Sequence, residues 1–323
     1  MLVASHLHTY LPYRLAGGEV TTHELLAALA TAGHEVHVTL TDVSGPEYVL
    51  DGVNVHPYVD RRQPLHWIPR SDLVVSHMFQ SPRATLLAQK YRVPSVHVCH
   101  STWPEARRFM AYRPDMLVFN TDWVAEEFSD VPGSRLVVHP PVDPDRYLVD
   151  QPGDAITLIN PIGAKGSDTF YALAERFPER RFLAVKGGYG VQDIRELPNV
   201  EVMEPVDDMR EVYAQTKVLL MPSHYESWGR VAVEAAISGI PSIVAPTPGL
   251  IEAMAEGSYY ATPEDIDTWA KLLKKLLTPR GWSAASKRAL ARAEQLETHR
   301  QPELDAWISA AEDISRRLKG VRR

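Results

Sequence analysis

Met221-Pro-Ser-His-Tyr-Glu226-Ser-Trp-Gly-Arg-Val-Ala-Val-Glu234-Ala-Ala-Ile-Ser-Gly-Ile-Pro241 is the stretch whose reading decides the fold. Just before and into it, Val218-Leu-Leu-Met221 is a short apolar run with strand character, and Pro222 and Ser223 end it. From Gly229 the spacing turns helical, and Gly239-Ile240-Pro241 stops the helix. Ser242-Ile-Val-Ala245 reads as the next buried strand. Strand, loop, helix and strand make a parallel crossover, so the expected fold class is α/β.

Two carboxylates sit in this unit. Glu226 lies in the loop at the strand's C-terminal end, where ligands bind in open α/β sheets. Glu234 lies inside an apolar helical run, so it needs donors or a positive partner. The helix N-terminus near Gly229 offers N–H groups and a positive dipole end suited to phosphate. Helical spacing alone also allows a plainer reading. Arg230, Glu234 and Ser238 are four apart, and the first two could form an exposed salt bridge worth a few tenths of a kcal/mol, about the usual size for such pairs.

The whole stretch resembles the donor-site signature of retaining glycosyltransferases of family 4. These have the GT-B fold, two Rossmann-like domains facing each other across a cleft. Pro222-Ser223, Glu226-Ser227-Trp228-Gly229, Glu234-Ala235 and Gly239-Ile240-Pro241 match that signature in order and spacing. The resemblance implies that Glu226 contacts the donor sugar and Glu234 the nucleotide ribose. It also implies that Trp228, Gly229, Arg230 and Val231 lie at the donor.

Upstream, Ile156-Thr-Leu-Ile-Asn160 opens the second domain, and the loop Pro161-Ile-Gly-Ala-Lys165-Gly166 leads into a helix from Asp168. The family pattern here is Gly-Arg, a few residues, then Lys-Gly, with both cations on the diphosphate. Lys165-Gly166 is kept, but the Arg position, counted back, is Asn160. Lys186, before Gly187-Gly188, could supply the missing charge, or could be a solvated strand-end lysine. The family's strand and turn beneath the nucleotide base correspond to Asn199–Asp208, where backbone groups near Pro205 and Val206 would read the base.

In the first half, Arg14-Leu-Ala-Gly17-Gly18-Glu19 precedes a helix closed by Gly33. A glycine pair between strand and helix permits close backbone approach to a phosphate. A plain turn would read the same way. Gly17-Gly18 is, however, similar to the family's N-terminal loop facing the donor diphosphate. Asp72–His77 and Val93–His100 are further strands. His100 sits at a strand tip, where the resemblance places a residue near the reacting sugar. His77 is a weaker candidate at the neighbouring tip. His6-x-His8 and His97-x-x-His100 have no Asp, Glu or Cys completing a known ligand set, so no metal site is expected.

The chain has 323 residues, 45% hydrophobic and 23% charged, enough for two full cores. Its net charge of −7 argues against general nucleic-acid binding. The one cysteine, Cys99, excludes an internal disulfide framework. No run reaches the roughly 20 apolar residues of a membrane span, and the N-terminus lacks signal-peptide features, so a cytoplasmic protein is expected. A proline-dense run, Pro140-Pro-Val-Asp143-Pro144, precedes a boundary placed near residue 150. This gives an acceptor-side domain over 1–149 and a donor domain over 150–301. The resemblance also implies that residues about 302–323 form a last helix packing back on the first domain. The basic residues Lys271, Lys274, Lys275, Arg280, Lys287, Arg322 and Arg323 permit membrane-surface attachment, though a solvated helix face is the simpler reading.

The expected function is transfer of a sugar, with retention, from a nucleotide diphosphate sugar to a glycan, lipid or small-molecule acceptor. It needs neither metal nor cofactor. Lys165, Glu226 and His100 would carry the chemistry. Two alternatives stay open: a nucleotide-sugar epimerase of the same fold, and a degenerate nucleotide-sugar-binding protein suggested by Asn160. A dehydrogenase should carry Gly-x-Gly-x-x-Gly after its first strand, and the chain lacks it there.

Overall fold

A computed structural model describes residues 1–321, with side chains through Arg317. The chain divides into two α/β units. Unit 1 is Met1–Pro141 together with the chain from Gln301, and unit 2 is Val142–Arg300. The joint therefore falls inside the proline-dense run, ahead of residue 150. The reason is packing: Val142 and Tyr147 are buried in an apolar cluster of unit 2 with Leu219, Trp228 and Leu250. Arg322 and Arg323 lie outside the described residues.

Unit 1 holds strands β1 (Leu2–Leu7), β2 (Glu35–Leu40), β3 (Tyr48–Leu50), β4 (Val53–His56), β5 (Leu73–His77), β6 (Ser95–Cys99), β7 (Met116–Phe119) and β8 (Ser134–Val137). Their order is β3-β4-β2-β1-β5-β6-β7-β8. Every pair is parallel except β3 with β4. The buried strands read as apolar runs because helices cover both faces of such a sheet. The covering helices are α1 (Gly17–Thr31), α2 (Pro64–Trp67), α3 (Ser81–Tyr91), α4 (Pro104–Met110) and α5 (Asp122–Glu127).

Unit 2 has six parallel strands: β9 (Ala155–Ile159), β10 (Phe182–Val185), β11 (Val200–Met203), β12 (Thr216–Met221), β13 (Ser242–Val244) and β14 (Tyr259–Tyr260). The order is β11-β10-β9-β12-β13-β14. Its helices are α6 (Ser167–Arg176), α7 (Arg210–Tyr213), α8 (Arg230–Ile237), α9 (Pro248–Met254) and α10 (Ile266–Leu276). A long helix, α11 (Pro279–Val321), follows, with Pro302 inside it. Its later part belongs to unit 1: Trp307 is fully buried there and its indole N–H donates to the Leu25 carbonyl at 2.9 Å. Glu303 accepts from His139 at both the backbone N–H, 2.7 Å, and Nδ1, 2.8 Å.

Strand order reverses between β1 and β5 in unit 1, and between β9 and β12 in unit 2. Connections leave these neighbours in opposite directions, so a crevice opens at their C-terminal ends, where a ligand can sit. Among the described residues, no helix is long and apolar enough to cross a membrane.

Candidate functional site

At the unit 2 switch point, the loop after β9 meets the loop after β12. Gly166 holds a left-handed φ of 77°, and a Cβ there would lie 2.2 Å from the Pro222 carbonyl oxygen. Only glycine permits that approach. It brings Lys165 against Glu226: Nζ lies 2.5 Å from Oε1, and the Ser223 hydroxyl donates to the same oxygen at 2.8 Å. Burial opposes the charge on Lys165, but the Glu226 carboxylate and the Tyr189 hydroxyl outweigh it and raise its pKa above the ordinary value. The ammonium is thus a fixed, compensated charge beside two loops.

Asn160 follows β9 with φ of 61° and is buried. Its Oδ1 accepts from Gln192 Nε2 at 2.8 Å, and Gln192 Oε1 takes the Gly187 N–H at 3.1 Å. Gln192 therefore ties the Gly187–Gly190 turn to the end of β9. The Asn160 Nδ2 is buried without a hydrogen-bond partner among the described residues, an unmet donor at the switch point. Lys186 is the other candidate cation here. Its Nζ is ion-paired with Glu204, beyond β11, on the side of β10 away from β12. Pro205 is exposed and Val206 half-buried, in the turn after β11.

The helix α8 starts after Gly229, whose φ is 99°. Arg230 and Glu234 do form the four-apart ion pair, but it is buried. Nε lies 2.7 Å from Oε1, and the side chains are only 9% and 6% exposed. Tyr213 donates to the other Glu234 oxygen at 2.7 Å, and Arg230 Nη2 donates to the Tyr147 hydroxyl at 3.0 Å. The exposed-pair reading is thereby corrected. Apolar neighbours close over the stripe, and two tyrosines complete its hydrogen bonds. Burial, and then the Glu234 carboxylate, push the Tyr213 phenol far up, so it stays a donor. Ser238, next on the stripe, accepts from the Val149 N–H and donates to the Tyr147 carbonyl. Trp228 is only 4% exposed within the apolar cluster, and Val231 packs against it. Their hydrophobic surface is spent on the core.

In unit 1 the glycine pair is not a free loop: Gly17 and Gly18 are the first two residues of α1, and Ala16 caps it without a side-chain bond. His100 directly follows β6 and packs against Gly18, where a Cβ would lie 3.5 Å from its ring. The Thr22 hydroxyl donates to the Gly18 carbonyl at 2.8 Å, so its oxygen can only accept from His100 Nε2, 3.1 Å away. Satisfying both contacts at once assigns the proton to Nε2 and leaves Nδ1 as an acceptor. Burial pushes the His100 pKa down to about 4. His77, the last residue of β5, meets His100 edge to face at 5.3 Å, and its buried Nδ1 has no partner among the described residues. Burial, then His100, His97 and Arg14, hold His77 far below the ordinary histidine range. His97, bonded to Ser81 at 2.6 Å, is pushed down by burial to about 3. The β5 and β6 tips thus carry neutral imidazoles.

Residues 15–146 match the family model described as Glycosyltransferase Family 4, and residues 167–279 match that described as Glycosyl transferases group 1. The chain belongs to glycosyltransferase family 4. A D-inositol 3-phosphate glycosyltransferase of Mycobacteroides abscessus is 27% identical over a match covering 81% of this chain and 75% of the relative. The D-inositol 3-phosphate glycosyltransferase 2 of Catenulispora acidiphila is 30% identical, over 61% of this chain and 60% of its own length. Among solved structures, Anabaena Alr3699/HepE in complex with UDP-glucose is similar with a TM-score of 0.75 at 17% identity, covering 95% of this chain and 99% of that one. Sucrose-phosphate synthase from Thermosynechococcus elongatus gives 0.73 at 16%, covering 99% of both chains. These structural matches place the glycosyltransferase in the GT-B fold class.

In this glycosyltransferase the signature residues Glu226, Ser223 and Lys165 come together, as do Arg230 and Glu234. His100 and Gly18 also meet. The sequence reading missed Tyr189, Gln192, Tyr213, Tyr147 and Thr22. The Gly187-Gly188-Tyr189-Gly190 run did mark a tight turn. Nothing local marked Tyr147 or Tyr213, which lie 83 and 21 residues from their partners.

Proposed function

We propose that this glycosyltransferase breaks the anomeric bond of a nucleotide diphosphate sugar and transfers the sugar with retention, and that it does so without a metal ion. The observation that carries this reading is the Lys165–Glu226–Ser223 cluster at the β9/β12 switch point. An ammonium has three N–H donors. Glu226 engages one of them, and another would serve an oxygen of the departing diphosphate. Charge grows on that oxygen as the bond breaks, and a preorganised cation favours the transition state over the ground state. The first-turn N–H groups of α8 act in the same sense. Glu226, held by Lys165 and Ser223, orients donor hydroxyls. Glu234 keeps lone pairs beyond those used by Arg230 and Tyr213, and these would take a ribose hydroxyl.

The acceptor side belongs to unit 1, where the His100 Nδ1 would accept from a sugar hydroxyl. In retention the acceptor oxygen forms its bond to the anomeric carbon on the face from which the phosphate oxygen leaves. The acceptor proton passes to that phosphate oxygen, so no protein base is required. UDP and UDP-glucose, present in the Anabaena complexes, are the first nucleotides to test, and a phosphorylated cyclitol is the first acceptor, after the naming of the relatives. Calorimetric titration with UDP, GDP, dTDP and ADP should show one clear preference. NMR of the product should show the donor's anomeric configuration. Absence of nucleotide binding, or an inverted product, would overturn the reading.

A further inference from the structure

The signs of charge are unevenly spread. Residues 59–113 carry nine Lys or Arg against three Asp or Glu, a net +6 in a chain of net −7. In unit 2, Arg176, Arg181, Arg195 and Arg210 each pair with carboxylates. Within 59–113 only Arg107 does so, with Asp130, among the described residues. Arg61, Arg62, Arg83, Lys90, Arg108 and Arg113 have no carboxylate partner among them.

These cations share one surface with large exposed apolar side chains. On α3, Ala84 and Ala88 face the core, and Arg83, Leu86 and Lys90 lie on the opposite side at helical spacing. Arg83 donates to the Arg61 carbonyl, joining the 59–62 loop to that face. Gln89 donates to the Tyr112 carbonyl at 2.8 Å, joining the chain after α4. Phe79 meets Phe109 of α4 edge to face at 5.6 Å. Val59 is 78% exposed, Phe79 59%, Leu86 52% and Tyr112 40%.

We infer that this face of unit 1 docks on an anionic lipid bilayer. Unpaired cations would lie among acidic headgroups, and the apolar side chains between them would enter the interface. A soluble polyanion would use the cations but leave Val59, Phe79 and Leu86 in water. The apolar component therefore favours a membrane. The inference goes beyond the transfer reaction and does not depend on which sugar is moved.

The test is co-sedimentation of the full chain with phosphatidylcholine vesicles, with and without about one third phosphatidylglycerol. Wild type should sediment with anionic vesicles and remain in solution with neutral ones. R83E/K90E should lose about tenfold or more in partition. F79S/L86S should lose severalfold, and L86S alone should lose less while leaving the Phe79–Phe109 contact intact. Nucleotide affinity and melting temperature of R83E/K90E should match wild type. Wild type that ignores anionic vesicles, or that binds them as tightly after R83E/K90E, overturns the proposal. So does equal affinity for a soluble polyanion with no loss in L86S or F79S/L86S, because binding would then be electrostatic only.

Discussion

At the tip of β6, His100 is surrounded by Gly18, Thr22 and His77, and burial keeps its ring uncharged at neutral pH. At the tip of β12, Glu226 sits equally enclosed, yet the adjacent Lys165 supports its charge, as Arg230 does for Glu234 eight residues on. One cluster avoids the cost of a buried charge by remaining neutral. The other meets it with an opposite charge at hydrogen-bond distance. The difference fits a division of labour. Neutral imidazoles can exchange hydrogen bonds with sugar hydroxyls, while paired ions can respond to a leaving group that gains charge.

Removing one partner of a paired ion should cost most. Arg230→Met leaves Glu234 buried and uncompensated, and should lower unfolding stability by about 3–5 kcal/mol. The double variant with Glu234→Leu should recover most of that loss in urea denaturation, and a lack of recovery would mean that packing rather than charge dominates. Next, Lys165→Ala should lower turnover by about 10²–10³-fold, the usual size for one transition-state charge contact. Near-normal turnover would remove the charge role from unit 2. His100→Ala should reduce transfer by about tenfold to 10²-fold while sparing nucleotide affinity, since only a positioning contact is lost. Equal loss of nucleotide binding would mean that the two clusters are not separable in this way.

The last effect concerns acid. His6 and His100 are depressed to about 4, and His97 to about 3, all chiefly by burial. Below pH 6.5 the unfolded chain therefore binds more protons than the folded one. Stability is full above that pH and falls as pH drops toward 4. Each fully buried histidine contributes a slope of about 1.4 kcal/mol per pH unit. The variant His97→Phe should flatten the melting-temperature profile between pH 6.5 and 5, and an unchanged slope would show that His97 does not titrate on unfolding. Lys165, raised rather than lowered, should add nothing to this acid slope.

Much of this molecule can be read along the chain. Apolar runs ending at His77, His100, Asn160 and Pro222 marked parallel strands, because a strand buried on both faces has to be apolar throughout. The glycines at 166 and 229 marked turns that only they could make. The spacing of Glu226, Trp228, Gly229 and Glu234 identified the family, because a composite of several residues at fixed offsets rarely recurs by chance.

Tertiary structure alone decided which of those residues are spoken for. Helical spacing gives Arg230 and Glu234 the same contact whether the face is wet or dry. Only Tyr147 and Tyr213, arriving from distant segments, make it dry. Lys186 and Lys165 look alike in sequence; in the fold Lys186 pairs with Glu204 toward the β11 edge of its sheet, and Lys165 pairs with Glu226 at the switch point. Burial, partner choice and charge state depend on contacts between residues far apart in the chain. Periodicity and motif spacing report only near neighbours, and so they leave those properties to the fold.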